Sequence, residues 1–505
     1  MHKSKHFSKI HPESRLITQL SRKKVSFEKI SISSDSEKKS KICKEYIEKM
    51  YQELFFNMES RSKRLDIVKE ELANSTLSEN EKKQKIFAHY KQESEFLRAK
   101  RKCLDVGQFH IISKIGQGGY ADVFLCKKKE TDELYALKRM KKQFIFERNQ
   151  VNHIKLERDF LAFHSSEWIV KLFSSFQDDL CLYLVLEYIQ GGDLKTLLSN
   201  LKILDEKVAV FYFAEMIVCL EEIHNFGLIH RDIKPENYLI DKDGHLKLTD
   251  FGLSADDHLY STKLDDLIQK NLEETKSHIY TISPRKRNHQ ALRKWHQKRR
   301  QKSFVGSPGY VAPEIILQKQ YGKEVDLWSL GCILYEMLAG FTPFAGRTDT
   351  ETLENVVNFK QVLEFPDYDD EEPMTDEAWD LIKILLSSQE KRTKINLETT
   401  IKAHPFFKGI KWDSLRQMDP PFVPKLKNET DISYFDTTYF RESKLPFPDS
   451  QQDPKIVEMK KANLNQLFSG FAFQRFPQNN NERFPQNNNE RFSEICDSNE
   501  NEDQK

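Results

Sequence analysis

The sequence has few cysteines, no long apolar run and almost no net charge. Its 7 cysteines lie singly among 505 residues without a C-x-x-C pair, which argues against a zinc site and a disulfide framework. No apolar run approaches the ~18 residues of a membrane-spanning helix. The 79 Lys and Arg nearly balance the 78 Asp and Glu, which speaks against a nucleic-acid-binding protein. The basic N-terminus has no apolar core, so no secretory signal is expected and the chain is predicted to be intracellular.

The chemically useful side chains are densest in residues 230–252, HRDIKPENYLIDKDGHLKLTDFG. Apolar residues in this stretch predict a small hairpin that fixes the distance between two loops: Leu239, Ile240, Leu246 and Leu248. One loop carries Asp232 and Asn237, and the other carries Asp250. This spaced pair of motifs resembles the H-R-D-x-x-x-x-N and D-F-G sequences of protein kinases. An acidic surface hairpin is the alternative, but the spaced pair is much more specific than either motif alone.

Phosphoryl transfer depends on positioning and on neutralised charge, and the stretch can supply both. Asp232 would accept the proton of the substrate hydroxyl group. Asn237 and Asp250 would hold two Mg²⁺ ions that bridge the phosphates of ATP. Lys234 would follow the γ-phosphate.

A glycine-rich turn precedes this stretch and predicts an ATP site. Glycine lets backbone N–H groups approach phosphates that a Cβ would obstruct. The expected ATP-binding residues of this turn and of the strand behind it are Ile115, Gly116, Gly118, Gly119, Val123, Ala136 and Lys138. Ala121 replaces the third glycine of the usual pattern, which predicts a stiffer loop with nucleotide binding retained.

Further residues are expected to complete the catalytic arrangement. Glu157, on a predicted helix, is the candidate ion-pair partner of Lys138. Glu187 and Tyr188 end a buried strand beside a glycine hinge and are expected at the nucleotide. Asp193 could bind the ribose hydroxyls, cap the following helix, or do both. The remaining expected contacts are Glu314 with Arg392, and Asp326 with the backbone of residues 230–232.

The sequence divides into five predicted segments. Residues 1–37 are expected to be disordered, 38–105 helical, 109–407 catalytic, 408–476 an extended tail, and 477–505 low-complexity and disordered. The catalytic segment contains a basic insert, 253–302, which is read either as a nuclear-localisation or nucleic-acid patch or as a regulatory segment, the favoured interpretation. In the first predicted helix, Arg61, Lys63 and Arg64 form either a solvated face or a docking patch for an acidic partner.

Taken together, these residues resemble the NDR/LATS family of AGC serine/threonine protein kinases, with the yeast mitotic-exit and septation kinases of the Dbf/Sid type as the nearest branch. The resemblance covers about residues 42–476. Its features are the helix ending Phe96-Leu-Arg-Ala-Lys100, the basic insert, Ser303-Phe-Val-Gly-Ser-Pro, and Pro421-Phe-Val-Pro followed by Tyr434-Phe-Asp436. It implies an α+β bilobal kinase fold: a small β-rich lobe, a large helical lobe, an N-terminal helical hairpin and an AGC C-terminal tail.

The resemblance also implies regulation and partners. A Mob-family co-activator would bind the N-terminal helices, with Arg61, Lys63 and Arg64 facing its acidic surface. Ser303 would be phosphorylated and pair with Arg231. The insert would be autoinhibitory, and an upstream kinase is a further candidate partner. Substrates would be Ser/Thr proteins with upstream basic residues, read by acidic groups such as Glu236 and Glu336.

Two departures from the family pattern change the expectations. Gly309 stands where the family has Asp, which is expected to loosen the substrate-side loop. Ala472 stands in Phe468-Ser-Gly-Phe-Ala-Phe473, where the family has its phosphorylated Thr. Either Phe471 and Phe473 dock constitutively on the small lobe, or another residue such as Ser469 is phosphorylated instead.

The alternatives differ in chemistry and in biological role. A catalytically silent Mob-binding scaffold is disfavoured because every catalytic position is filled. A small-molecule kinase is disfavoured because Ala-Pro-Glu314 serves peptide substrates. A tyrosine kinase is disfavoured because Lys234 in Asp-x-Lys-Pro-Glu-Asn is the Ser/Thr form. Cell division and septation are the expected process, with polarity or growth control as the second candidate. The expected location is the cytoplasm, with the nucleus or a spindle-pole or division site as alternatives.

Overall fold

The computed structural model describes residues 34–100, 102, 104–118, 121–256, 308–368, 373–435, 465 and 467–475. The residues up to Ile86 form one compact unit, and those from Phe87 form a second. The basic insert beyond residue 256, Ser303 and the predicted disordered end 477–505 lie outside the described residues, as do residues 1–33 of the predicted disordered segment 1–37. Residues 34–37 are helical, so the prediction of disorder is wrong there.

Two long helices precede the catalytic segment, as the apolar periodicity predicts. They are α1 (Ser34–Ala73) and α2 (Glu79–Lys100). Helix α1 begins before the predicted boundary at residue 38. Helix α2 begins with a capping box, because the Ser78 backbone N–H donates to Glu81 at 2.8 Å while the Glu81 N–H donates to Ser78 Oγ at 3.4 Å.

An antiparallel sheet forms the small lobe. Its strands lie in the order β1-β2-β3-β5-β4-β10. Their bounds are β1 Phe109–Gln117, β2 Ala121–Lys128, β3 Leu134–Lys141, β4 Leu172–Gln177, β5 Cys181–Glu187 and β10 Phe473–Gln474. Helices α3 (Lys142–Glu147) and α4 (Val151–Phe163) follow β3. The last strand comes from the C-terminal tail, which therefore extends the sheet of the small lobe.

The second lobe is mainly helical. Its helices are α5 Leu194–Leu201, α6 Glu206–Asn225, α7 Pro313–Ile316, α8 Glu324–Ala339, α9 Asp349–Val357, α10 Phe359–Val362, α11 Asp376–Leu385 and α12 Gln389–Arg392. Short strands form two pairs, β6 (Leu228–Ile229) with β9 (Ala255–Asp256) and β7 (Tyr238–Ile240) with β8 (Leu246–Leu248). The second pair is the predicted hairpin between the two catalytic loops.

Helix α8 is the buried axis of this lobe. Every residue from Glu324 to Ala339 is buried, and Gly340 ends the helix with φ 78°, the left-handed geometry for which glycine is favoured. Asp326 in its first turn accepts the backbone N–H groups of His230 at 2.9 Å and Arg231 at 2.8 Å. The predicted link between this helix and the catalytic loop is therefore present.

The tail crosses both the hinge and the helical lobe. Tyr188 donates its hydroxyl to the Asp431 carbonyl at 2.7 Å, and its ring stacks on Phe435. Gly192 has φ 75°, and a Cβ there would lie 2.3 Å from the Tyr434 carbonyl oxygen. The hinge therefore requires glycine both for its backbone conformation and for the close approach of the tail.

Arg392 is completely buried and forms the predicted ion pair with Glu314. It also donates to the Glu324 carbonyl at 3.2 Å, and its guanidinium lies 4.9 Å from the centre of the Trp328 ring. We expect Arg392→Met to lower the free energy of unfolding by ~3–5 kcal/mol, because it leaves the Glu314 carboxylate buried without its cation.

Denaturant unfolding followed by circular dichroism measures this loss. Arg347→Met, at an exposed arginine, is the control and should change stability little. Equal midpoints for the two variants would show that the ion pair does not stabilise the helical lobe.

Candidate active site

Lys138 lies between two carboxylates that come from distant parts of the chain. Its Nζ lies 2.8 Å from Glu157 Oε1 on α4 and 2.9 Å from Asp250 Oδ1 in the D-F-G loop. Strand β3 presents Lys138 to this site, with Ala136 and Met140 buried on the same face. The structure thus brings together strand, helix and loop at the position that the motif spacing predicts.

The charge state of the two acids follows from burial and from Lys138. Burial raises the pKa of Glu157 above its ordinary value, and the cation of Lys138 opposes that rise. Burial alone would raise the pKa of Asp250, but Lys138 and Lys234 outweigh it and lower the pKa to about 2. Asp250 is therefore an anion at neutral pH, as a metal ligand must be.

The catalytic loop places Asp232, Lys234 and Asn237 within hydrogen-bonding reach of one another. Lys234 Nζ lies 2.6 Å from Asp232 Oδ2, and Asn237 Nδ2 donates to the Asp232 carbonyl at 2.8 Å. Burial raises the pKa of Asp232 to about 6, although Lys234 opposes the rise. A carboxylate with that pKa is a better proton acceptor than an ordinary surface aspartate.

Backbone strain accompanies these positions. Arg231 and Asp250 both have φ 65°, in the left-handed region that non-glycine residues rarely occupy. Each such residue costs of order 1–3 kcal/mol, and it persists only where surrounding contacts impose it. The Asp326 bond to the Arg231 N–H and the Lys138 bond to Asp250 are two such contacts.

The residues present fit a divalent cation. The Asn237 amide nitrogen donates to the Asp232 carbonyl, which leaves the amide oxygen as the candidate ligand atom. The Asn237 backbone carbonyl accepts the N–H of Thr249 at 2.9 Å, and the anionic Asp250 follows directly in the chain. Within the described ranges, no group of three or more His, Cys, Asp or Glu side chains could hold a metal by itself. The protein therefore offers a partial oxygen shell of the kind that substrate phosphates complete.

The described nucleotide-binding candidates of the small lobe lie on strands β1, β2 and β3 or in the β1–β2 turn, and Val123 pairs with Lys138. Ile115 and Ala136 are buried, Val123 is half-buried, and the Gly118 N–H closes the β1–β2 turn on the Ala121 carbonyl at 2.7 Å. Gly116 pairs with Val123, but Gly119 lies outside the described residues.

At the hinge, two predicted nucleotide-binding side chains have partners within the protein. Glu187 accepts two bonds from Lys247, at 2.9 and 3.0 Å. Asp193 caps α5 by accepting the Thr196 N–H at 2.7 Å, and burial raises its pKa to about 6. The structure thus shows the capping role of Asp193, and its contact with ribose stays a prediction.

The sequence analysis did not predict an aromatic contact that packs behind the D-F-G loop. The Phe251 ring lies 4.7 Å from Phe160 on α4 and 5.2 Å from His230. This packing joins the helix that carries Glu157 to the loop that carries Asp250. Spacing alone could not identify it, because Phe160 reads simply as one apolar position of an amphipathic helix.

Comparison with known proteins identifies the arrangement. A model of the protein kinase domain matches residues 109–271 and 291–407. The serine/threonine-protein kinase CBK1 of Pneumocystis carinii is 38% identical over 433 residues, covering 83% of this chain and 83% of the relative. CBK1 of Saccharomyces cerevisiae is 38% identical over 480 residues, covering 88% of this chain and 63% of the relative. The serine/threonine-protein kinase ppk35 of Schizosaccharomyces pombe is 39% identical over 420 residues, covering 80% and 66%.

The chain belongs to the protein kinase family, as a serine/threonine kinase of the NDR/LATS type. The predicted fold class, family and enzyme class are confirmed. Membership implies that the kinase uses ATP with a divalent metal and acts on proteins. No helix in the described part of the kinase is long and apolar enough to cross a bilayer. The chain spans less than two thirds of the S. cerevisiae relative's length.

The predicted phosphate-binding arginine lies next to the start of the activation segment. Arg231 donates its Nε to the Leu253 carbonyl at 2.7 Å and Nη2 to the Ser254 carbonyl at 3.3 Å. Burial and Arg231 together lower the pKa of His153 on α4 to about 4. Ser303 lies outside the described residues, so its pairing with Arg231 stays a prediction.

The hydrophobic motif of the tail is seated on the small lobe. Phe468 and Phe471 are fully buried, and the exposed Ala472 lies between Phe471 and the half-buried Phe473. The Phe471 carbonyl accepts Ser175 Oγ at 2.6 Å, and Phe473 pairs with Ser175 in the sheet. The seat therefore consists of apolar packing and backbone bonds, and the residue at position 472 faces solvent.

Two cationic side chains, Arg475 and Lys142, also hold the tail on the small lobe, and the sequence analysis predicted neither contact. Arg475 Nη2 donates to the Leu161 carbonyl at 2.5 Å and the His164 carbonyl at 3.0 Å, and its Nε donates to the Leu172 carbonyl at 2.7 Å. Lys142 Nζ, completely buried, donates to Asn465 Oδ1 at 2.6 Å. Arg475 thus bonds the last carbonyls of α4, where a cation is favourable.

Because α4 carries Glu157, we expect Arg475→Met to reduce kcat about tenfold, the equivalent of ~1.4 kcal/mol of lost positioning. Steady-state peptide phosphorylation measures this change. Arg483→Met is the matched control, since Arg483 begins the second copy of the same RFPQNNNE sequence. Equal rates for both variants would show that the hydrogen bonds from Arg475 to the end of α4 do not position Glu157 for catalysis.

Proposed function

We propose that this kinase transfers the γ-phosphate of Mg-ATP to Ser or Thr of protein substrates with upstream basic residues, under control of a Mob-family co-activator and of phosphate on Ser303. The observation that supports it most is the assembled contact of Lys138 with both Glu157 and Asp250. That contact joins the ATP-binding lobe to the metal-binding loop, which phosphoryl transfer requires.

In the proposed reaction, each residue holds one part of the transfer in place. The substrate hydroxyl oxygen bonds to the γ-phosphorus while the bond to the β–γ bridging oxygen of ATP breaks, and ADP leaves. The hydroxyl proton passes to Asp232 Oδ. Lys234 and Lys138 stabilise negative charge on the phosphates. Asn237 and Asp250 would hold Mg²⁺, which would supply further positive charge.

The first helix supports a co-activator surface. Apolar side chains recur along one side of α1 and are exposed: Ile47, Tyr51, Phe55 and Met58. Arg61 and Lys63, one turn further, are exposed, with Lys63 paired to Glu59 at 3.1 Å. An apolar stripe beside basic groups suits an acidic, partly apolar partner such as the Mob family.

The tail supports regulation that does not need a phosphate at position 472. The motif is docked through Phe468, Phe471 and Arg475 with alanine at that position. We propose that this docking is constitutive, so that Ser303 and the co-activator provide the regulation and an upstream kinase acts elsewhere than residue 472. Phosphorylation of an Ala472→Thr variant with a many-fold rise in activity would contradict constitutive docking.

The biological role is proposed from the family alone. We propose cell division and septation, with polarity or growth control as the second candidate, and a cytoplasmic, nuclear or division-site location. The alternative molecular role is a scaffold that binds Mob without catalysis. The enzyme is favoured because the catalytic positions are filled and paired: Lys138 with Glu157 and Asp250, and Lys234 with Asp232.

The Asp250→Ala variant distinguishes the enzyme hypothesis from the scaffold hypothesis. We expect it to reduce phosphotransfer from Mg-ATP to an Arg-containing Ser peptide by about 10²–10³-fold or more, since it removes both a metal ligand and a partner of Lys138. Asp243→Ala, in the turn of the same hairpin, is the control. Ser303→Ala should retain part of the activity. A parent no faster than Asp250→Ala, with Mob bound and Ser303 phosphorylated, would leave only the scaffold.

The co-activator surface is tested by charge reversal on α1. We expect Arg61→Glu with Lys63→Glu to weaken binding of a purified Mob protein by roughly tenfold or more, with the loss smaller at high salt. Lys69→Glu, on the same helix, is the control. Titration calorimetry measures both. Unchanged affinity in the double variant would place the co-activator elsewhere.

A further inference from the structure

A lysine of the kinase itself occupies one of the acidic groups expected to read substrates. Lys195 Nζ lies 2.6 Å from Glu336 Oε1. The other carboxylate oxygen, Glu336 Oε2, accepts the Tyr310 hydroxyl at 2.5 Å. The Glu336 side chain is only 5% exposed, whereas 28% of the Lys195 side chain is exposed. A substrate cation approaching Glu336 from solvent would therefore meet Lys195 first.

This ion pair lies beside the reacting groups. Tyr310 lines a small pocket together with Asp232, the proton acceptor, and Ser329. Ser329 Oγ in turn donates to the Tyr310 carbonyl at 2.8 Å. Because Glu336 accepts the Tyr310 hydroxyl, only the Tyr310 side chain separates the Glu336 carboxylate from the pocket that contains Asp232.

The position of Lys195 in its helix points to a function for this cation. It lies in the first turn of α5, next to the N-cap Asp193, where the helix dipole disfavours positive charge. Burial alone would lower the pKa of Lys195, but Glu336 and Glu236 raise it, so the group is a cation at neutral pH. The attraction of the surrounding carboxylates for the Lys195 cation thus outweighs both the repulsion by the helix dipole and the cost of desolvation.

The surrounding acids are not equivalent. Asp193 is used as a helix cap, and Glu336 is bonded to Lys195 and Tyr310. Glu236, in the catalytic loop between Lys234 and Asn237, is exposed. Glu336, one of the two acids expected to read substrate cations, thus already has an internal cation.

We propose that Lys195 is a specificity-determining residue, because it fills the cation position at Glu336. A basic side chain at one upstream substrate position therefore adds little binding energy. The kinase recognises basic substrate residues mainly through Glu236. The inference rests on the proposed preference for basic substrates and refines it. A substrate arginine must displace Lys195 from a carboxylate already bonded at 2.6 Å, and so the exchange of one cation for another yields little net binding.

The test compares Ser peptides in which one arginine is moved through the upstream positions of an otherwise identical sequence. For each peptide, kcat/KM is measured relative to the version with alanine. We expect Lys195→Met to raise this ratio about tenfold at one position, which corresponds to ~1.4 kcal/mol for a newly available charge pair. Lys195→Arg keeps the cation and should preserve the parent profile. Lys207→Met, at an exposed lysine of the next helix, is the matched control.

A double variant assigns the gain to Glu336. In Lys195→Met with Glu336→Gln, the gain should disappear, because the acid that receives the substrate arginine has been neutralised. A gain that persists in the double variant, or an unchanged profile in active Lys195→Met, would overturn the proposal. A uniform drop across all peptides would likewise show a structural role only.

Binding separates this inference from the proposed function. Fluorescence anisotropy of labelled peptides with alanine in place of the acceptor serine gives the same position-by-position comparison without phosphotransfer. A parent kinase that binds these peptides but phosphorylates none would refute the proposed activity. The Lys195→Met binding profile would still decide the specificity proposal in either direction.

Discussion

One ammonium group holds the catalytic arrangement together. Lys138 Nζ bonds Glu157 from a helix and Asp250 from a loop at nearly equal distances. Without that cation, the Glu157 and Asp250 carboxylates would face each other, and the burial of Glu157 would favour its protonation. The anionic state of Asp250, and hence its capacity to bind a metal, thus depends on a residue 112 positions away in the sequence.

Because Glu157 lies on α4, contacts that hold this helix in place also position Glu157 next to Lys138. Phe160 packs on Phe251 from one side, and Arg475 bonds the carbonyls at its C-terminal end. The tail also adds a strand to the sheet next to this helix. The C-terminal segment is thereby part of the small lobe, and alanine at position 472 is compatible with its seat because that side chain faces solvent.

The same principle of internal charge pairing operates near the substrate. Buried acids require partners, since an uncompensated buried charge is costly. Glu314 has Arg392, and Glu336 has Lys195. The half-buried Glu187 likewise has Lys247. An acidic residue in a motif therefore does not by itself identify a binding group, because the fold can supply its cation from within.

The sequence alone identified the family, through the resemblance of its motifs. It also predicted the catalytic residues and the order of elements, because local geometry restricts their spacing. A hairpin of fixed length separates Asp232 from Asp250, and a buried strand must present Lys138 next to its small neighbour Ala136. The tertiary structure alone decided that Asp193 caps a helix, that Arg475 clasps α4, and that Lys195 neutralises Glu336. These contacts join residues whose separation carries no periodic signal: Lys195 and Glu336 are 141 positions apart, and Leu161 and Arg475 are 314 positions apart. Only the packed fold brings them within bonding distance.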